Sequence, residues 1–360
     1  MNTTPPFVPE AQTSTQGYIS TIIMGRQDFL SVLFRSISGE LYKIWRRRLS
    51  KVLLTIGLLI MMLGFVAVAL PPIIVYNSPS SIFLPPSCSS LSQAGGTVAP
   101  GSCLDHPPTQ QDLAKAEQMK QEAVRSSAAS LYLPGSFITA GQIVNFIGLL
   151  LLVILAGTIV GGEYSVGTIR LLLTRGPTRT QFFLAKLGAI LVSIGITFLI
   201  LMPIGIAMGA LFELAIPGIA VNFSFFTGTW MLHAALYLLE SILGLLMYTM
   251  IALCFSFLGR ATAAGVAGAI VWWVLENILS TILSLLAATN KGVFADILKA
   301  IPDYFIGTNI SALLGNQTSY LIGGQPSSIS DLHAVLVLAV YLVIFIGSAW
   351  IVHLRRDVTN

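Results

Sequence analysis

The sequence predicts an all-α membrane protein with six transmembrane helices. Three observations carry that prediction. Only 9% of the 360 residues are charged and 55% are hydrophobic, whereas a soluble domain carries about 25% charged residues. Apolar runs able to cross a bilayer, at about 20 residues per crossing, recur near 52–76, 137–160, 185–211, 230–258, 263–287 and 333–353. Basic residues gather in alternate connections between these runs. Each run has to be helical, because a backbone amide left unpaired in lipid costs several kcal/mol.

The chain opens with "MNTTPPFVPEAQTSTQG", a polar and proline-containing start that reads as a disordered cytoplasmic tail over 1–25. The first apolar run is too long for a signal-peptide core, so no cleavable leader is expected. Over 26–51, Leu30, Leu33, Phe34, Ile37, Leu41, Ile44 and Trp45 recur at helical spacing with polar and basic residues opposite. That pattern predicts an amphipathic helix lying in the cytoplasmic interface. The Arg46–Arg48 cluster marks its break from the first span. The six-helix domain then occupies 52–353, and 354–360 form a cytoplasmic tail. The fourth apolar run is long enough to tilt or to break near its ends.

Two outer connections have character of their own. The loop 77–136 begins rich in Pro and Ser, holds Cys88 and Cys103, and continues into the helix-prone "TQQDLAKAEQMKQEAVRSSAA". A cysteine pair on an oxidising face favours a disulfide; closing a loop of about 15 residues contributes roughly 3 kcal/mol in the chain-entropy account. Cys254 falls inside a span and reads as core. The connection 288–332 carries two short apolar stretches broken by Pro302 and Gly307, too short to cross, which predicts short interfacial or re-entrant helices before the last span.

Orientation follows from the basic residues. With the N-terminus inside, the cytoplasmic side receives fourteen of the 19 Lys and Arg, among them Arg46, Arg47, Arg48, Arg170, Arg175, Arg179 and Lys186; Lys115, Lys120, Arg125, Lys291 and Lys299 fall outside. The bias places both termini in the cytoplasm of a plasma membrane, the inner membrane of a bacterium. The net charge of +4 is accounted for by this distribution, and no nucleic-acid partner is expected.

Several chemistries are missing. The four histidines form no His-Glu-x-x-His pair, no Cys/His cluster has zinc spacing, and no Gly-Lys dipeptide exists to build a Walker A loop. No catalytic residue, metal site or cofactor is therefore assigned to the chain. Two acids do fall within spans, Glu240 and Glu276. Charged groups at that depth are costly and usually face a protein interior or a wet cavity. They are candidates for a substrate or ion pathway, or else structural acids hydrogen-bonded to neighbours such as Tyr237, Ser241 or Asn277. The run "ATAAGVAGA" from Ala261 spaces small residues four apart, for close helix packing within the subunit or against a second copy.

The most informative stretch is "GGEYSVGTIRLLLTRGPTRTQFFLAK", residues 161–186. Arg170, Arg175 and Arg179 cannot lie in the bilayer, since each would cost about 2.5–3.5 kcal/mol at its centre. The stretch 161–184 therefore reads as a cytoplasmic elbow. A short helix follows a break at Gly161-Gly162 and ends near Thr174–Pro177, and Thr178 with Gln181 forms a capping box for the next helix. Its Gly-Glu-Tyr, Gly-Thr-Ile-Arg and Leu-Thr-Arg-Gly-Pro-Thr-Arg segments resemble permease subunits of type-2 ABC transporters, in the flavour of bacterial drug, antibiotic and bacteriocin exporters. The span layout is similar over most of the chain, and the motif over about 25 residues.

The resemblance implies a coupling helix that docks on an ATPase subunit, a role that falls on Glu163, Tyr164, Gly167, Thr168 and Arg170. It also implies two separate ATPase chains that hold ATP and Mg, a second permease copy as homodimer partner, surrounding lipids, and an amphipathic drug, lipid or peptide as substrate. The long outer loop departs from many small permeases. An ion-coupled secondary transporter or channel using Glu240 and Glu276, and a membrane-embedded assembly factor, are the alternatives.

Overall fold

The computed structural model describes residues 29–88, 103–165, 178–214 and 223–355. Among the described residues, six helices are long and apolar enough to cross a membrane. They are α2 (Arg48–Asn77), α4 (Gly135–Ser165), α5 (Arg179–Leu214), α6 (Gly228–Gly259), α7 (Thr262–Thr289) and α10 (Asp331–Arg355). Each contains one of the runs read from the sequence and extends it by a few residues at each end. Four further helices lie outside this set: α1 (Phe29–Arg46), α3 (Gln110–Ala128), α8 (Val293–Ala300) and α9 (Ile306–Ile322).

Local chemistry explains the helix ends. α1 stops at Arg46, and Arg47 is extended at φ −71°, ψ 132° before α2 begins. The arginine cluster is thus where the chain turns. α3 starts at a capping box in which the Thr109 hydroxyl accepts from the Asp112 amide while the Asp112 carboxylate accepts from the Thr109 amide. The same device opens α5: Thr178 Oγ1 accepts from the Gln181 amide, and Gln181 Oε1 accepts from the Thr178 amide. α6 ends with Arg260 in the left-handed region at φ 50°, which reverses the chain into α7.

α6 is the central helix. Of its most apolar stretch 67% is buried, against 17% in α7 and in α10, so the latter two stand at the periphery. Between helices in lipid there is little hydrophobic gain, and close contact depends on small residues. Gly161 shows this. A Cβ there would lie 2.2 Å from the Thr262 amide nitrogen, and one at Gly157 would lie 2.7 Å from Val266 Cγ2. The end of α4 therefore crosses the start of α7 at backbone contact. The break expected at Gly161-Gly162 does not occur: α4 continues to Ser165. Gly161 serves a close approach rather than a turn. The small residues after Ala261 act likewise within the subunit, since a Cβ on Gly265 would sit 1.9 Å from Ser256 Oγ, and Gly268 faces Phe255.

The connection before the last span folds back on the bundle. α8 packs on α7, and α9 packs on α6 and α10. Along α9 and α6 the chain directions oppose. Gly307 faces Tyr248, Ile310 faces Gly244, and Gln317 meets Glu240. The first amide of α9 meets Glu276, about 21 Å along α7 at 1.5 Å per residue. The foot of α9 therefore stands level with the middle of a spanning helix.

Candidate functional site

The first polar group lies where α1, the end of α4 and the first turns of α5 meet. Lys186 is fully buried, although it belongs to an apolar helix. Its Nζ stands 2.8 Å from Glu40 Oε2 and 2.7 Å from Glu163 Oε1, donates to the Ile159 carbonyl at 3.2 Å, and lies 5.0 Å from the centre of the Phe182 ring. Lys43 completes the group at 2.7 Å from Glu40 and 3.2 Å from Glu163. Two carboxylates and two ammonium groups neutralise one another. Balance is required here, since a buried ion without its partner costs several kcal/mol.

Glu163 departs from what the sequence suggested. Glu163 is expected exposed, near the N-terminal end of a short helix. It is 5% exposed and stands in the last turn of α4, where the helix carries partial negative charge. The two lysines offset both that field and the burial. Burial on its own would raise the Glu40 carboxyl; the Lys186 ammonium and the hydrogen bonds from Lys186 and Lys43 outweigh it and hold Glu40 below the ordinary carboxylate value. Burial would likewise lower Lys43, but hydrogen bonding to Glu40 and the charges of Glu40 and Glu163 hold it above the ordinary lysine value.

Tyr164 packs edge-on to Phe257, ring centres 6.1 Å apart. Gly167, Thr168 and Arg170 lie outside the described residues. What the structure adds is the tether. α1 is joined by ion pairs to both helices flanking 166–177, and Arg47 reaches the Thr158 carbonyl at 3.5 Å. Sequence reasoning missed Glu40, Lys43 and Lys186 as a unit. The available signal was an acid at position 40, in step with Leu33, Ile37 and Ile44, and a lysine inside an apolar run.

The second polar group surrounds α9. Glu276 Oε1 accepts from the Ile306 amide, capping the helix; the Gly307 amide also faces the carboxylate, and Oε2 is buried with no side-chain donor. Glu240 Oε1 accepts from Gln317 Nε2 at 3.0 Å, and Gln317 also approaches Asp331 at 3.4 Å. The Gln317 carbonyl stands 2.8 Å from His233 Nδ1, and His233 stacks on Tyr320 at 4.1 Å between ring centres. Neither acid uses the partners proposed from sequence; Asn145, not Glu240, bonds Ser241. The structure thus brings these two acids against opposite parts of one helix, Glu276 at the first amide of α9 and Glu240 at Gln317.

Beside the Glu276 end lies a cavity of about 440 Å³ between α4, α6, α7 and α9. Phe146, Tyr248 and Trp273 give it aromatic walls, and Asn145, Glu276 and Asn277 give it polar ones. Glu240 does not line it. On the connection after α2, Cys88 and Cys103 are disulfide-bonded with Cα atoms 4.9 Å apart, as the sequence predicted. Backbone bonds from Cys88 to Leu104 and from Leu104 to Pro86 flank the bridge. Cys254 is buried, 3.2 Å from Ser348 Oγ.

The family model described as "Protein of unknown function (DUF2705)" matches residues 122–359. The chain belongs to this DUF2705 family. The matched segment runs from within α3 to the C-terminal tail, so it contains Glu163, Lys186, Glu240, Glu276 and the whole cavity. Glu40, Lys43 and the cysteine pair lie before it. The ion cluster therefore joins a helix outside the DUF2705 segment to two helices within it. No curated protein matches the chain.

Proposed function

We propose that this chain is the transmembrane permease subunit of an ATP-driven exporter of the type-2 ABC kind, embedded in the bacterial plasma membrane with both termini in the cytoplasm. Two copies pair, and two separate ATPase chains supply ATP and Mg chemistry that this chain lacks the motifs for. The observation that carries the reading is the buried ion cluster. It fastens an amphipathic helix to both ends of the basic insert, so a push on the insert would be passed to α1, α4 and α5 together. On this reading Gly167, Thr168 and Arg170 contact the ATPase, while Glu163 anchors the insert from within. α1 lies in the interface with Phe34, Tyr42 and Trp45, which are exposed, turned to lipid. α8 and α9 form the re-entrant pair. The apolar outer face of α7 is available to the second copy, and the cavity serves an amphipathic substrate.

The test is copurification in mild detergent from native membranes, with bound proteins identified by mass spectrometry and ATP hydrolysis measured. An ABC ATPase is expected with the wild type and at least a tenfold lower amount with Gly167→Trp, at equal expression. Glu276 beside a cavity also suits an ion-coupled carrier. Reconstituted transport by the chain alone that follows an ion gradient, with no ATPase recovered, would replace the ABC reading with that one.

A further inference from the structure

We infer that the cavity between α4, α6, α7 and α9 binds an organic cation, with Glu276 as its counter-charge. The volume of about 440 Å³ falls in the range of small-molecule pockets, about 300–1,000 Å³. Glu276 is the one residue lining it that carries a charge when ionised. Among the described residues no Lys, Arg or His nitrogen lies within 4.0 Å of its carboxylate. The contrast with the cytoplasmic cluster is direct: there every acid is matched by lysines, and here the charge has no cation.

The cap on α9 compensates Glu276 in part. One oxygen takes the Ile306 amide at the positive end of the helix, which supplies about half an elementary charge. The Gly307 amide, next along α9, also faces the carboxylate, and no side-chain donor meets the other oxygen, which is buried. A carboxylate so placed favours any cation that enters beside it and disfavours anions. The aromatic side chains of Trp273, Tyr248 and Phe146 in the lining suit a delocalised or quaternary cation rather than a small hydrated one. The amides of Asn145 and Asn277 leave room for a polar substituent. Gly307 also lines the space, and a Cβ there would come 3.3 Å from the Tyr248 hydroxyl and 3.6 Å from Glu276 Oε2. Ring and carboxylate thus converge on one point of the α9 foot.

This inference deepens the transport reading by naming the substrate class, but it is tested on the chain alone. Saturable binding of radiolabelled tetraphenylphosphonium to the detergent-purified chain needs no ATPase, ATP or gradient, so it can fail while the ABC reading stands, and the reverse. Glu276→Gln keeps an oxygen to accept from the Ile306 amide and removes the charge. At least a tenfold weaker affinity is expected, with an unchanged elution profile and helix content. Glu117→Gln, on α3 away from the cavity, is the control with wild-type affinity. Neutral triphenylphosphine oxide should compete at least tenfold less well than unlabelled tetraphenylphosphonium. If Glu276→Gln does not fold, Ser311→Trp, which narrows the cavity and leaves the charge, is expected to reduce binding as far. No saturable binding by the wild type, equal competition by the neutral compound, or wild-type affinity in the folded variants would overturn the inference.

Discussion

Lys186 decides the chemistry where α1, α4 and α5 meet. With no exposed surface and two carboxylates within 2.8 Å, it cannot be removed without leaving both acids short of charge. Breaking a buried pair by deleting one partner costs about 3–5 kcal/mol, whereas replacing every member by neutral groups can be nearly neutral. Lys186→Met is therefore expected to destabilise by about that amount in detergent unfolding followed by tryptophan fluorescence. The quadruple change Glu40→Gln, Lys43→Gln, Glu163→Gln, Lys186→Met, which neutralises every member, should recover most of it. Equal stability of Lys186→Met and wild type would show that the cluster contributes nothing. The same reasoning applies to Glu163→Lys. It places a third cation among Lys43, Lys186 and a single acid, so it disturbs folding and cannot by itself test contact with an ATPase.

At the scale of an element, α1 is held by two kinds of contact. Ile37 packs on the open face of Gly188, where a Cβ would lie 2.6 Å from Ile37 Cδ1, and the ion cluster ties Glu40 and Lys43 to α4 and α5. The charged contact depends on pH in a definite sense. The folded Glu40 value is depressed, so its contribution is present above the unfolded carboxyl value and is lost as pH falls through the lower folded value. The folded Lys43 value is raised, so its contribution is full below the unfolded lysine value and is lost as pH rises through the higher folded one. α1 is expected to stay docked across the neutral range and to loosen first below the ordinary carboxylate range. A spin-pair distance between Ser38→Cys on α1 and Leu199→Cys on α5 would follow this. A distribution that broadens near neutral pH would contradict the assignment.

For the whole molecule, the orientation proposed from the basic residues has α3 outside and α1 inside. In intact cells an impermeant maleimide is expected to label Ser126→Cys on α3 and to miss Ser38→Cys on α1. Reversed labelling would invert the topology. Reducing Cys88–Cys103 should lower stability by about 3 kcal/mol while leaving the helix content of the spans unchanged, because the bridge closes a connection and touches no span. A circular dichroism melt with and without reductant reads both quantities.

The spans, their approximate limits, the break at Arg46–Arg48, the capping box at Thr178 and the cysteine pair were all legible in the sequence. Each is decided locally: the bilayer acts on one segment at a time through its length and its backbone, a cap involves residues three apart, and the cysteines bracket a single loop. What the elements do to one another was not legible. Glu40 and Lys186 are 146 positions apart, Gln317 and Glu240 are 77 apart, and no periodicity encodes such pairings. Gly161 read as a helix breaker because a glycine carries no sign of its neighbour; only the approach of α7 turns it into a packing residue. Glu163 read as exposed because a charge beside a basic insert is ordinarily solvated. Packing against α1 and Lys186 buried it, and complementary charge, assembled from three separate helices, is what makes that burial stable.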